Sequence, residues 1–234
     1  MEYNLNELGV ELAKISLGIK AIKLNPEEPF TWASGYRMPI YNDNRMLLGD
    51  FSHRRFVANA FKTIIDSYGL QYDLIAGTST AGIPPSTTLA DKLQAPSIYV
   101  RDKPKDHGMK NQIEGIDAED DLKGRKAILI EDLISTGGSS ANAVQAIRNA
   151  NGVCDYCLSI FNYGLDKAVE EFGKLDPKCN VLSILNYDVL LQVALETGQV
   201  YLKDHIDMLK EWRADPFNWG AKHGFPKIEK GDKK

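Results

Sequence analysis

Ala127-Ile128-Leu129-Ile130-Glu131-Asp132-Leu133-Ile134-Ser135-Thr136-Gly137-Gly138-Ser139-Ser140 is the stretch on which the reading of this chain turns. A short apolar run ends in two acids. A small, hydroxyl- and glycine-rich loop follows, then a helical pattern. An apolar run of this length, bounded by turn residues, reads as a buried parallel strand. Two adjacent carboxylates are costly to bury unless something satisfies them. They are therefore expected at the carboxyl end of the strand, where open α/β sheets bind ligands. Ser135 to Ser139 then offer backbone N–H groups and hydroxyls at a helix N-terminus, a phosphate cradle. Acids suit sugar hydroxyls and metal, the loop suits phosphate, and together they suggest a phosphorylated sugar.

Working outward, Leu5, Leu8, Leu12, Ile15 and Ile19 recur at helical spacing and predict an opening amphipathic helix. Phe30 to Asn44 reads as strands and turns. His53 to Tyr68 reads as a helix with Phe56, Ala60, Ile64 and Tyr68 on one face. Asp73 to Ala76 is a short strand running into Gly77-Thr78-Ser79-Thr80-Ala81-Gly82, and Pro84 and Pro85 suit the first turn of the next helix. Ser97 to Arg101 is another strand, and a long polar loop runs to about Lys126. Beyond the opening stretch, Val144 and Ile147 mark a helix that Asn151-Gly152 stops. Strands at Val153 to Phe161 and Val181 to Leu185 follow, with helices at Leu165 to Phe172, Asp188 to Thr197 and Lys203 to Arg213. Strands alternating with helices predict an α/β fold, a central parallel sheet flanked by helices with right-handed crossovers.

The chain has 234 residues, enough for one large domain or a domain with a small accessory part. Its 43% hydrophobic content supplies a sizeable core. A net charge of -4 argues against a general nucleic-acid binder, and no apolar run reaches the length of a membrane span. Met1-Glu2-Tyr3-Asn4 lacks a basic n-region and an apolar h-region, so a cytoplasmic protein is expected. Cys154 and Cys157 have the spacing of a redox or metal pair. They lie on a predicted strand, where residues three apart point to opposite faces, and no second Cys/His pair completes a zinc site. With Cys179 they are expected to be reduced and structural. Thr136-Gly137-Gly138-Ser139 lacks the lysine of a P-loop, and no strand runs into a G-x-G-x-x-G turn. Trp212 and Trp219 are expected to pack rather than stack a base, Glu119-Asp120-Asp121 reads as a solvated acidic turn, and Asp215 to Gly224 has no assigned role.

The apolar run, two acids and Ser/Thr/Gly loop resemble the phosphoribosyl pyrophosphate (PRPP) motif of type I phosphoribosyltransferases. Tyr99 to Gly108, continuing to Asn111-Gln112-Ile113-Glu114-Gly115, resembles the mobile catalytic loop of orotate phosphoribosyltransferases. Phe30 to Gly35, with Pro39 to Arg45, resembles that family's substrate-covering segment. The resemblance covers roughly residues 5 to 210. It implies the type I fold with an N-terminal hood at 1–50, a PRPP-binding core at 51–214 and an extension at 215–234. It implies ribose on Glu131 and Asp132, and the 5-phosphate on Ser135, Thr136, Gly137, Gly138 and Ser139, with Leu133 and Ile134 in the same motif. It implies orotate on Ser135, and pyrophosphate on Thr78, Ser79 and Thr80.

Pyrophosphate leaves with several negative charges, which a placed cation stabilises. The resemblance makes Lys105 that catalytic cation, with Arg101 and His107 on the phosphates and Gly108 letting the loop close. It implies a homodimer sharing this loop between subunits, no nucleic-acid or membrane partner, and Mg2+ held through the substrate, with Asp132 a possible contact through water. The sequence departs from the family where cations are common, at Ala33, Ala81, Asp102 and Asn162, and Arg45 or Arg37 are the expected replacements. The expected reaction is orotate plus PRPP to orotidine 5'-phosphate and pyrophosphate, in pyrimidine nucleotide synthesis. The alternatives are a PRPP-sensing regulator without catalysis, or a phosphoribosyltransferase for another base.

Overall fold

The computed structural model describes residues 5–102, 112–117, 120–197 and 200–228. Helix α1 (Leu5–Gly18) leads into the hood, made of β1 (Ile22–Leu24), β2 (Phe30–Thr31), β3 (Arg37–Met38) and β4 (Ile40–Asn42). β1 pairs with β4, and β2 with β3, both antiparallel. A 3-10 helix (Asn44–Gly49) leads to α2 (Phe51–Tyr68), which Asp50 caps through the Ser52 N–H and Gly69 ends in the left-handed conformation. The core continues with β5 (Leu74–Thr78), α3 (Ile83–Leu93), β6 (Ser97–Val100), β7 (Ile113–Glu114) and β8 (Lys126–Ile134). Then come α4 (Gly138–Asn149), β9 (Val153–Asn162), α5 (Asp166–Gly173), β10 (Asn180–Asn186) and α6 (Tyr187–Glu196). A second 3-10 helix (Val200–His205), α7 (Ile206–Ala214) and α8 (Pro216–Lys222) finish the chain.

Six strands form one sheet in the order β10-β9-β8-β5-β6-β7, parallel except for β7. Strand alternation divides the core in two. Ile75, Ile128, Ile130 and Ile160 pack beneath α1, α2, α3 and α6, whereas Leu74, Ala76, Ala127 and Leu129 face α4 and α5. Among the described residues no helix is long and apolar enough to cross a membrane.

Several expectations need correction. β8 runs three residues past Glu131, to Ile134, so the acids lie inside the strand near its end. The polar loop before Lys126 holds a short strand, β7, that pairs with β6. On α2 the buried stripe is Val57, Ala58, Ala60, Phe61, Ile64 and Ile65, and Tyr68 is 55% exposed. The helix expected at Lys203 to Arg213 is a 3-10 turn followed by α7, and α8 is an added helix. Cys154 and Cys157 do not diverge. Lys126 pairs with Val153 but Ile128 with Tyr156, so β9 holds one extra residue, a bulge that brings both cysteines and Cys179 into the same cluster.

α7, α8 and the segment up to Ile228 close over the hood. Trp212 and Trp219 are fully buried, and Trp212 Nε1 donates to Met38 Sδ at 3.0 Å. Tyr36 meets Phe217 edge to face with ring centres 5.2 Å apart, and the Ile228 N–H donates to the Gly35 carbonyl at 2.9 Å. Gly35 has φ +87°, and a Cβ there would lie 2.1 Å from the Ile228 carbonyl oxygen, so only glycine fits this turn.

Candidate active site

β8 delivers the two acids to the carboxyl edge of the sheet, and alternation sends them to opposite faces. Glu131 turns toward α4 and is 6% exposed. Thr78 Oγ1 donates to Glu131 Oε1 at 2.7 Å, the Asp132 N–H donates to the same oxygen at 2.9 Å, and Ser140 Oγ donates to Oε2 at 2.9 Å. Burial, then the adjacent Asp132, push the Glu131 carboxyl up to about 7. Burial raises the Asp132 carboxyl from its ordinary value as well.

Asp132 faces the other way, into a cleft shared with Asn44, Arg45, Ala81, Pro85 and Ile160. Asn44, 3% exposed, donates from Nδ2 to the Asp132 carbonyl at 2.7 Å, which pins the 3-10 helix of the hood to the end of β8. Asn44 Oδ1 and both amide atoms of Asn42 are buried and have no hydrogen-bond partner among the described residues. These orphan groups sit in the segment that leads into the Asp132 cleft.

The Ser135 to Gly137 turn connects β8 to α4. Gly137 caps the helix with φ +79°, and no side chain caps its first turn, so the leading N–H groups are left for an anion. Beside this turn, Thr78, Arg101, Asp102, Gln112, Ser139 and Asn142 line a cavity of about 340 Å³. β5 ends at Thr78, and the Ser79 N–H donates to the Val100 carbonyl at 2.8 Å, tying the Thr78-Ser79-Thr80 turn to β6. Arg101 approaches Glu114 at 3.4 Å, and its buried Nε has no partner among the described residues. Lys105, His107 and Gly108 lie outside the described residues.

The four positions lacking a family cation have other roles here. Asp102 accepts from Ser139 Oγ at 3.3 Å, Asn162 accepts from the Gly164 N–H at 2.8 Å, Ala81 lines the Asp132 cleft, and Ala33 stands exposed on the hood turn. Of Arg45 and Arg37, Arg45 is the one near Asp132. It pairs with Asp43 at 2.6 Å and borders the cleft of Asp132. Arg37 instead donates twice to the Pro29 carbonyl, at 3.1 and 2.8 Å, and lies over Phe225. Ser140 and Asn44 escaped the reading of the sequence. Ser140 extends the hydroxyl run of the loop by one residue, a visible signal, whereas nothing local marks Asn44 as a partner of β8.

Residues 53–179 match the family model described as the phosphoribosyl transferase domain. The orotate phosphoribosyltransferase of Listeria monocytogenes is 44% identical over 210 residues, which cover 90% of this chain and 97% of that protein. The chain belongs to the orotate phosphoribosyltransferase family. Solved structures agree on the architecture. Orotate phosphoribosyltransferase from Aeropyrum pernix superposes with a TM-score of 0.66 at 26% identity, covering 80% of this chain and 99% of that one. Leishmania donovani UMP synthase superposes with a TM-score of 0.70 at 24% identity, covering 89% of this chain and 44% of that one, a likeness of fold. The type I phosphoribosyltransferase fold and the transferase class follow from this membership, and the sheet with its strand-to-helix turns is how this orotate phosphoribosyltransferase family member builds its site.

Proposed function

We propose that this chain transfers the 5-phosphoribosyl group from PRPP to orotate, releasing pyrophosphate and forming orotidine 5'-phosphate for pyrimidine synthesis in the cytoplasm. The observation that carries the reading is the strand end where Asp132, facing its own cleft, is followed by an uncapped helix N-terminus at Gly137, with a cavity bordered by Arg101 beside that turn. The loop from Ser135 to Ser139 receives the 5-phosphate, and Asp132, of the Glu131–Asp132 pair, is turned to the ribose hydroxyls. The Thr78-Ser79-Thr80 turn and Arg101 take the pyrophosphate, and Ser135 borders the base. Arg45 supplies positive charge at the cleft where the usual lysines are missing.

The residues position rather than attack. Orotate nitrogen displaces pyrophosphate at the ribose carbon, and holding the two in line supplies much of the rate. Lys105 stabilises charge on the departing oxygens, and loop closure keeps water from the activated sugar. Asp132 is the carboxylate that would hold Mg2+, and the ion would supply positive charge against the departing pyrophosphate. Asp132 would contact it through water. The hood (1–50) covers the base, the core (51–214) binds PRPP, the extension (215–234) braces the hood, and the catalytic loop is shared across a homodimer.

The test is orotate consumption by the purified protein with PRPP and Mg2+. Turnover with orotate and none with purine bases is expected. PRPP binding without turnover would overturn the reading in favour of a sensor. Lys105→Ala should slow turnover by about 100-fold or more, the scale of losing one preorganised charge-stabilising donor.

A further inference from the structure

We propose that Thr78 and Ser140 are positioning residues that act through Glu131, whose buried carboxylate fixes the spacing between the pyrophosphate turn and the 5-phosphate turn. The inference rests on the PRPP-binding reading above and goes beyond it, because it makes Glu131 a tie between the two turns.

Three donors reach this one carboxylate from three pieces of backbone. Thr78 is the last residue of β5, just before the Ser79–Thr80 turn. Ser140 is in the first turn of α4, just after the Gly137 cap. The Asp132 N–H closes the set from β8 itself. Both carboxylate oxygens are engaged, at 2.7, 2.9 and 2.9 Å, and the groups are buried, with Thr78 3%, Glu131 6% and Ser140 2% exposed. A buried carboxylate is tolerable only with such partners, and once satisfied in a low-dielectric site it holds them firmly.

The backbone around Thr78 is shaped for this contact. A Cβ at Gly82 would lie 2.3 Å from Thr78 Oγ1 and 2.6 Å from the Ile130 carbonyl oxygen. Glycine at 82 therefore leaves the room that the Thr78 hydroxyl occupies as it bonds Glu131. With its proton donated inward, Thr78 contributes to the pyrophosphate site by placement and by its backbone.

A ligand that touches only one turn needs no fixed spacing, whereas PRPP, phosphorylated at both ends, needs both turns at once. The experiment measures binding of PRPP, ribose 5-phosphate and inorganic pyrophosphate, by calorimetry, to the wild-type protein and to Ser140→Ala, Thr78→Val, Thr78→Ser and the Ser140→Ala/Thr78→Val double variant, with melting temperatures alongside. Ser140→Ala and Thr78→Val should each weaken PRPP binding at least tenfold, and Ser140→Ala should change ribose 5-phosphate and pyrophosphate binding less than threefold. Thr78→Ser, which restores the hydroxyl, should bind PRPP as wild type does. The double variant should lose little more than either single one, because one tie is broken in each case. Equal losses for all three ligands, multiplicative losses in the double variant, or unchanged PRPP binding in a folded Ser140→Ala protein would each overturn the inference. If Thr78→Val does not fold, the comparison of Ser140→Ala with wild type decides alone. A wild-type protein that binds no PRPP would instead overturn the functional reading itself.

Discussion

Replacing Gly137 by alanine tests the phosphate turn against its neighbour in sequence. Gly137 has φ +79°, a conformation that costs an L-residue about 1–2 kcal/mol. A Cβ there would also lie 3.0 Å from Ala168 Cα and 3.2 Å from Ala168 Cβ, on α5. Either α5 gives way by a few tenths of an ångström or the turn does, so a total near 2 kcal/mol is expected. For a chain of this size that lowers the melting temperature by about 4–8 °C. The turn also aims the first N–H groups of α4, so KM for PRPP should rise by about tenfold, whereas KM for orotate should stay within twofold. Gly138→Ala is the control for stability. Nothing lies within 4 Å of a Cβ at Gly138 and its φ is not positive, so that variant should melt at or slightly above wild type. Differential scanning calorimetry and steady-state kinetics on both variants decide the matter. Equal melting temperatures for the two variants would refute the reasoning, because the left-handed backbone and the Ala168 contact distinguish the positions.

Three further outcomes are expected. Burial and the adjacent Asp132 raise the Glu131 carboxyl from 4.5 to about 7, so between those values the folded protein binds more protons than the unfolded chain. Its stability should therefore fall as pH rises through that window, by on the order of 3 kcal/mol if the whole shift is realised. Melts of the metal-free protein from pH 4.5 to 8 should show this slope in wild type and a flatter one in Glu131→Gln, and parallel curves would remove Glu131 as the cause. Asn44→Ala should lose about 1–3 kcal/mol by leaving the Asp132 carbonyl without its 2.7 Å donor, and PRPP KM should rise with it; denaturant titration and kinetics check this, and an unchanged stability would count against the clamp. Trp212→Ala should cost about 3–5 kcal/mol, because the indole is fully buried among Trp32, Tyr163 and Tyr187 and bonded to Met38, and a melt within 3 °C of wild type would contradict that packing.

Local features of the chain were the legible ones. The apolar run before Glu131, the glycines at 137 and 138 and the helical spacing of Val144 and Ile147 each act within a few residues, and β8, the turn and α4 follow from them directly. Pro84 and Pro85 likewise mark the start of α3. What stayed hidden depends on distant partners. The Glu131 tie joins Thr78 across 53 positions, and the Asn44 clamp joins β8 across 88. One extra residue in β9 reverses the facing of Cys154, and no residue type there announces a bulge. Tyr68 has the spacing of the α2 stripe but sits in the helix's last turn, just before the Gly69 cap, and is exposed. For α8 a signal did exist, since Asp215-Pro216 is a helix opening, and it lay in a segment without an assigned role.

The contact of Met38 with Trp212, 174 positions later, and of Gly35 with Ile228, has a consequence for how the chain is made. Emerging from the ribosome, residues 30–38 must wait for almost the entire remaining sequence before their final neighbours exist. The central sheet and its helices can assemble first, and the contacts over β2 and β3 are completed last. A chain cut before Trp212 would therefore leave residues 30–38 without the partners they fold against.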